Sequence, residues 1–286
     1  MSRDQATLLS AAHAQWQRAR TLCTVDCRDY HTAWPFLRAA GLVGGIDADK
    51  LALSAVLSPL LSKQGGHILI AGSADDAQLQ LVQELAGDVP CNITVVDRCA
   101  TPLAACESHR ASSRYGLTTE TMDLLSFAPE NKFDVILCHS LLPFLKAEDR
   151  KKLLGQLTHW LTPFGSLVLA VKLDPDQAGQ QTAIDSAHWV RGKAAMASEA
   201  LDALTAITPK ERHNLNQSVE GFYRYMAQNP IPYRHVDDVV GECLTAGLQV
   251  LETRLAGLGH GFPGAHARTS LQSIVIHAKP ATHSKL

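Results

Sequence analysis

Between Gly65 and Lys172 the chain alternates short, almost wholly apolar runs with segments of helical periodicity, and acidic residues stand at the ends of several runs. The runs are His67–Ala71 (HILIA), Asn92–Val96 (NITVV), Phe133–Cys138 (FDVILC) and Ser166–Val171 (SLVLAV), with a weaker one at Thr118–Thr121. Strands this apolar are buried on both faces, which parallel sheets covered by helices require. The pattern therefore predicts an α/β chain, and it places any ligand outside the carboxyl ends of the strands, where the strand order reverses.

The intervening segments supply the helices. One carries Leu79, Val82 and Leu85, a second spans Pro102–Arg114, and a third presents Leu153, Leu154, Leu157, Trp160 and Leu161 on one face. Thr162-Pro163-Phe164-Gly165 reads as a turn before the fifth strand. Residues 1–63 read as an N-terminal helical cap, with Leu8, Leu9, Ala12 and Trp16 at helical spacing. Residues 174–230 interrupt the alternation with two helices and read as a lid inserted over the site. The second of these helices opens on Thr208, Pro209 and Glu211, the pattern of a capping box with proline in the first turn. Val236, Val239, Val240, Cys243 and Leu244 form one more amphipathic helix, with Gly247 as its left-handed C-cap. Strands at Gln249–Leu255 and Leu271–Ala278 flank the glycine-rich stretch Gly257–Gly264, which predicts a terminal antiparallel hairpin. The expected division is a core of residues 64–173 and 231–286, with 1–63 as cap and 174–230 as lid.

A net charge of -2 over 286 residues argues against an electrostatic grip on nucleic acid or an anionic membrane. No apolar run approaches the roughly 18 residues of a membrane span. Seven irregularly spaced cysteines suit a reduced, cytoplasmic chain. Ser284-Lys285-Leu286 is a peroxisomal address in a eukaryotic cell. The spacing of Cys23 and Cys27 would suit a metal pair on one helical face, but no second pair follows at ligand spacing, and the histidines form no HExxH or His-x-His pair; no metal site is expected.

Several residues carry chemistry by type and position. Asp97 closes the second strand ahead of a helix, where Rossmann-like folds place the carboxylate that accepts ribose hydroxyls; a helix N-cap explains it too. Asp75 and Asp76 suit either a ligand's ammonium or the first turn of a helix. His139 follows the fourth strand, where an imidazole serves as a general base or packs on a backbone carbonyl. Tyr30 in the cap, and His188, Trp189, Arg191, Tyr223 and Tyr233 in or beside the lid, form an aromatic and basic set. That set suits a planar or anionic small substrate, a helical core of its own, or a homodimer interface.

The order of these elements, the turn Gly72-Ser73-Ala74-Asp75-Asp76, and Asp97 and Asp123 at successive strand ends together resemble the class I S-adenosylmethionine-dependent methyltransferases. The resemblance covers Gly65–Lys172 and Tyr233–Pro280. It implies a Rossmann-like, doubly wound sheet of seven strands and S-adenosylmethionine as cofactor. Gly72, Ser73, Ala74 and Asp75 would then lie along the ligand's amino-acid end. Asp97 would hold the ribose, Arg98 the adenine edge, and Asp123 with Leu124 the adenine ring, while Cys138 and His139 would face the reacting methyl group. The family's glycine motif is reduced: Gly72 matches its first glycine, Ala74 and Asp76 replace the others, and Ile70 stands where an acid is usual. The implied function is methyl transfer to a small-molecule oxygen, nitrogen or carbon nucleophile by in-line displacement, mostly through proximity and orientation. The alternatives are a cofactor-binding enzyme of other chemistry and an inactive scaffold.

Overall fold

The structure is a computed structural model that describes residues 3–112, 115–175, 183–202, 208–258 and 271–281. Helices α1 (Arg3–Leu22), α2 (Val25–Ala39) and α3 (Lys50–Gln64) precede β1 (Gly66–Ala71). The alternation then runs α4 (Ala77–Ala86), β2 (Cys91–Asp97), α5 (Ala100–Glu107), β3 (Gly116–Thr121), β4 (Phe133–His139), α6 (Ala147–Trp160) and β5 (Leu161–Leu173). Helices α7 (Ala183–Asp202), α8 (Pro209–Gln228) and α9 (Val236–Thr245) lead to β6 (Leu248–Leu258) and β7 (Gln272–Pro280).

The strands form one sheet in the order β3-β2-β1-β4-β5-β7-β6. Strands β1 to β5 pair in parallel, and β7 runs antiparallel to β5 and β6, as the terminal hairpin requires. Strand order reverses between β1 and β4, so the ligand crevice of this topology opens at their carboxyl ends.

The period-two geometry of β1 explains why its apolar run is continuous. Ile68 and Ile70 point into a core with Leu53 and Leu57 of α3 and Leu79 and Val82 of α4. Leu69 and Ala71 point into the opposite core with Leu153, Leu154 and Leu157 of α6 and Val239 and Cys243 of α9. Each fully buried leucine or isoleucine contributes about 2 kcal/mol of transfer free energy.

A third core joins the two ends of the helical sequence. Trp16 of α1, Phe36 and Leu37 of α2, Val190 and Leu201 of α7, and Leu215 and Phe222 of α8 share one cluster. The N-terminal helices and the insertion thus form one helical layer, whereas α3 packs with the sheet. Gly221 lets α8 cross α2 closely, since a Cβ there would overlap the Asp29 carboxylate.

Local differences from the expectations have physical causes. The segment 162–165 is not a free turn: it lies within β5, where Phe133 pairs with Leu161 and Val135 with Ser166. The extra residues are absorbed as an irregularity in the ladder. The helix expected at 102–114 stops at Glu107, where Ser108 bonds its own chain at Ala105 O, and a 3-10 turn at Arg110–Ser112 follows. The capping box at Thr208 and Glu211 forms in both directions. The stretch 259–270 and the C-terminal tripeptide lie outside the described residues.

Candidate functional site

A cavity of about 310 Å³ opens at the β1/β4 switch point. Its floor comes from the loops after β1, β2, β3 and β4, and its roof from α2 and α8. Gly72, Ser73, Ala74, Asp97, Arg98, Asp123, Leu124, His139 and Tyr30 all line it.

Gly72 makes the first turn possible. It follows β1 with φ +79°, and a Cβ there would sit 3.2 Å from both methyls of Leu141. Its N–H donates to Val96 O at 2.9 Å, which ties the β1 loop to β2. Asp97 is held where that loop meets the next. The Ser73 amide donates to its Oδ2 at 3.0 Å, and the Cys99 amide to its Oδ1 at 2.7 Å. Burial raises the pKa of this carboxyl, and the Ser73 and Cys99 amides oppose the shift. Each oxygen accepts one backbone bond, which leaves acceptor capacity on both toward the cavity. Asp123 accepts the Leu125 amide at 2.8 Å and stands exposed at the rim, with Leu124 buried behind it.

His139 is positioned from below. Its Nε2 donates to Asp49 Oδ2 at 2.8 Å, and Asp49 is completely buried at the start of α3. Burial alone would raise the Asp49 pKa; the His139 hydrogen bond, then the nearby charge of Lys172, keep it below the ordinary carboxylate value. The next residue, Ser140, has φ 54°, a left-handed conformation uncommon outside glycine. Its amide is fixed by Ala170 O at 2.8 Å.

The roof is aromatic. Tyr30 stacks on Trp34 at 5.7 Å, Phe144 stacks on Tyr225 at 5.6 Å, and Tyr30 meets Phe144 edge-on at 5.9 Å. Burial, then the neighbouring Tyr225, Asp75 and Asp97, raise the Tyr30 pKa, so its phenol stays protonated. Arg98 NH2 donates to Tyr225 OH at 3.3 Å, joining the floor to the roof.

Other expected residues lie elsewhere. Asp75 is engaged away from the cavity: Arg38 NH1 lies 2.9 Å and Trp34 Nε1 3.2 Å from Oδ2, and the Ala77 amide 2.9 Å from Oδ1. Asp76 pairs with His109 at 2.6 Å. Neither carboxylate is presented to a ligand's ammonium. Cys138 is 1% exposed and packs in the core with residues of α6 and α9, because the alternation of β4 turns it away from the side on which His139 lies. Tyr223 fills the helical core, and Trp189 packs against it at 5.8 Å. Tyr233 is buried and donates to Glu242 Oε2 at 2.7 Å. His188 and Arg191 are exposed on α7. The α8 residues at the cavity are instead Phe222, Tyr225 and Met226, with Asn229 just beyond its end. Sequence reasoning missed Asp49, Phe144 and Lys172, and nothing in their local pattern distinguishes them.

The pairing of Cys23 and Cys27 also changes meaning. The expectation of no metal site rested on the lack of a second pair nearby in sequence. In three dimensions His31 and Cys99 complete the set, and the four ligand atoms lie within 4.8 Å of one another.

Residues 78–165 match a family model described as a methyltransferase domain. No curated protein matches the chain by sequence. Solved structures share the fold. The mitomycin 7-O-methyltransferase MmcR aligns with TM-score 0.53 and 14% identity over 93% of this chain and 60% of its own. The 1,6-didemethyltoxoflavin-N1-methyltransferase of Burkholderia thailandensis, solved with its namesake and S-adenosylhomocysteine, aligns at 0.51 and 14% over 82% and 78%. The [4+2]-cyclase SpnF aligns at 0.50 and 13% over 80% of each chain. Residues 78–165 are thus similar to a methyltransferase domain, and the seven-stranded sheet around them has the fold that these neighbours share.

Proposed function

We propose that this protein binds S-adenosylmethionine and transfers its methyl group to a planar, largely apolar small molecule. The observation that carries the reading is Asp97: a carboxylate clamped by the Ser73 and Cys99 amides at the switch point, on the wall of the same cavity as Gly72, Asp123 and His139.

The residues fit the cofactor. Gly72 leaves the backbone bare where a Cβ would stand, Asp97 has acceptor capacity for two ribose hydroxyls, and Asp123 and Leu124 suit an adenine edge. The fit is weakest at the ammonium, because Ile70 is buried in the core and Asp75 is bonded to Arg38. When bound, the cofactor supplies a methyl group already activated on a sulfonium.

What remains for the chain is to orient, exclude water and accept a proton. Tyr30, Trp34, Phe144 and Tyr225 offer flat faces that hold a planar acceptor and attract a nearby cation. His139, fixed by Asp49, stands at the methyl end of the crevice as the proton acceptor for an oxygen or nitrogen nucleophile. In the proposed reaction the roof of α2 and α8 would shield the bound acceptor from water. Two fold neighbours named for methylating mitomycin and didemethyltoxoflavin agree with a small acceptor.

Calorimetric titration with S-adenosylmethionine and S-adenosylhomocysteine, followed by transfer of a labelled methyl group to a panel of phenols and heteroaromatic amines, tests the proposal. Micromolar binding with label transfer supports it. The [4+2]-cyclase on the same fold gives the second reading, cofactor binding with other chemistry; binding without transfer would favour it. Failure to bind either ligand would sink both and leave a scaffold.

A further inference from the structure

We propose that Cys23, Cys27, His31 and Cys99 bind one zinc ion that clamps the N-terminal helices to the loop following β2. The site lies beside the proposed cofactor crevice but does not rest on that reading.

Three of the distances between the four ligand atoms match the edges of a tetrahedral zinc site, and all four atoms lie within 4.8 Å of one another. Zinc at about 2.3 Å from sulfur and 2.05 Å from nitrogen sets ligand edges of about 3.8 Å between sulfurs and about 3.5 Å between sulfur and nitrogen. Here Cys99 Sγ lies 3.6 Å from both Cys23 Sγ and Cys27 Sγ, and His31 Nδ1 lies 3.4 Å from Cys23 Sγ. A disulfide would need about 2.05 Å between sulfurs and would leave the third thiol and the imidazole without a role. One sulfur equidistant from two others suits a shared central ion better than either covalent pair.

The donor set is specific. Three thiols and an imidazole, all buried, match the Cys₃His sets that hold structural zinc, and four protein ligands close the coordination sphere. Cys23 follows α1, Cys27 and His31 lie one turn apart on α2, and Cys99 is the N-cap of α5. Outer hydrogen bonds are in place for every sulfur. Thr101 Oγ1 lies 2.9 Å from Cys23 Sγ, the Thr101 amide donates to Cys99 Sγ at 3.5 Å, and Thr24 Oγ1 lies 3.6 Å from Cys27 Sγ. Such donors stabilise thiolate ligands and fix their direction. On binding, the three thiols release their protons to solvent, the ion takes four lone pairs, and no oxidation state changes.

The ion would sit two residues from Asp97, whose Oδ1 is held by the Cys99 amide at 2.7 Å. It would thereby fix the loop that presents that carboxylate.

The test is the metal content of the full chain purified under reducing conditions without chelator, with cobalt(II) replacing zinc in the stripped protein. About one equivalent of zinc is expected, with thiolate-to-cobalt bands in the near ultraviolet and strong visible bands of tetrahedral cobalt. Cys27→Ser and Cys99→Ser should reduce the content to less than about a fifth of wild type, while Cys91→Ser, outside the cluster, should leave it unchanged. Cobalt spectra of the wild type decide the matter even if a cysteine variant does not fold. Less than about a tenth of an equivalent after zinc addition, with no thiolate–cobalt band, would overturn the proposal. So would a mass-spectrometric Cys23–Cys99 or Cys27–Cys99 disulfide in freshly prepared protein.

Discussion

His139 and Asp49, 90 residues apart in the chain, meet through a 2.8 Å hydrogen bond, with the carboxylate completely buried and the imidazole on the cavity wall. A buried carboxylate on one ring nitrogen fixes the imidazole's orientation and tautomer, and in the proposed reaction Nδ1 would accept the proton. His139→Gln should lower kcat by about 10²- to 10⁴-fold while cofactor affinity changes by less than about threefold. Asp49→Asn, acting through His139, should lower kcat in the same direction by a smaller factor with KM nearly constant. Steady-state kinetics beside calorimetry check this; equal losses in binding and turnover would refute the dyad.

A charge-assisted hydrogen bond contributes about 1.5–3 kcal/mol, so Asp97→Ala should weaken S-adenosylhomocysteine binding by about tenfold to more than 100-fold. Asp97→Asn should lose somewhat less, since it keeps one acceptor. An unchanged dissociation constant in both would remove the ribose assignment.

Asp75 is expected to behave in the opposite way. Its ion pair with Arg38 is largely shielded, with side chains 14% and 12% exposed. Arg38 keeps Asp47 as a second partner at 2.7 Å, so Asp75→Ala removes one shielded ion pair and the Trp34 and Ala77 hydrogen bonds and should cost about 1–3 kcal/mol of unfolding free energy. Cofactor affinity of the folded variant should move by less than about threefold, because the carboxylate faces Arg38 and Trp34. Urea denaturation with calorimetry on the same preparation tests both halves.

His277 gives the fold a pH dependence. Burial, then the adjacent Lys279, lower its pKa below 6.5, with Glu252 opposing; its Nε2 lies 3.1 Å from Ser166 Oγ on the neighbouring strand. The unfolded chain therefore binds a proton that the folded chain refuses in the window below 6.5. Stability from this group is fully present above that value and is lost as pH falls through the folded pKa. Between pH 7 and about 5, wild type should lose more stability than His277→Asn, as measured by denaturant midpoints. Parallel curves would show that other groups set the slope.

The sheet was legible because it is written in local terms. Continuous apolar runs marked β1, β2, β4 and β5, and the hairpin of β6 and β7 followed from two strands with no helix between them. The capping box at Thr208 was legible for the same reason, since its partners are three residues apart. Asp97 and Asp123 were placed at the crevice because a strand's end fixes where its next residue goes.

The sequence by itself determined the class of fold, the order of its elements and the wall of the crevice that strand ends supply. The tertiary structure alone decided what meets across long separations. It turned Asp75 toward Arg38 rather than the cavity, set Asp49 beneath His139, and gave the cavity the face of α8 that carries Tyr225 while Tyr223 fills the helical core. It also brought Cys99 to Cys23 across 76 residues. Local periodicity fixes which face a residue occupies. Only the packing of helices α2 and α8 against the loops of the sheet fixes what that face touches, because such contacts are made by residues with no spacing rule between them.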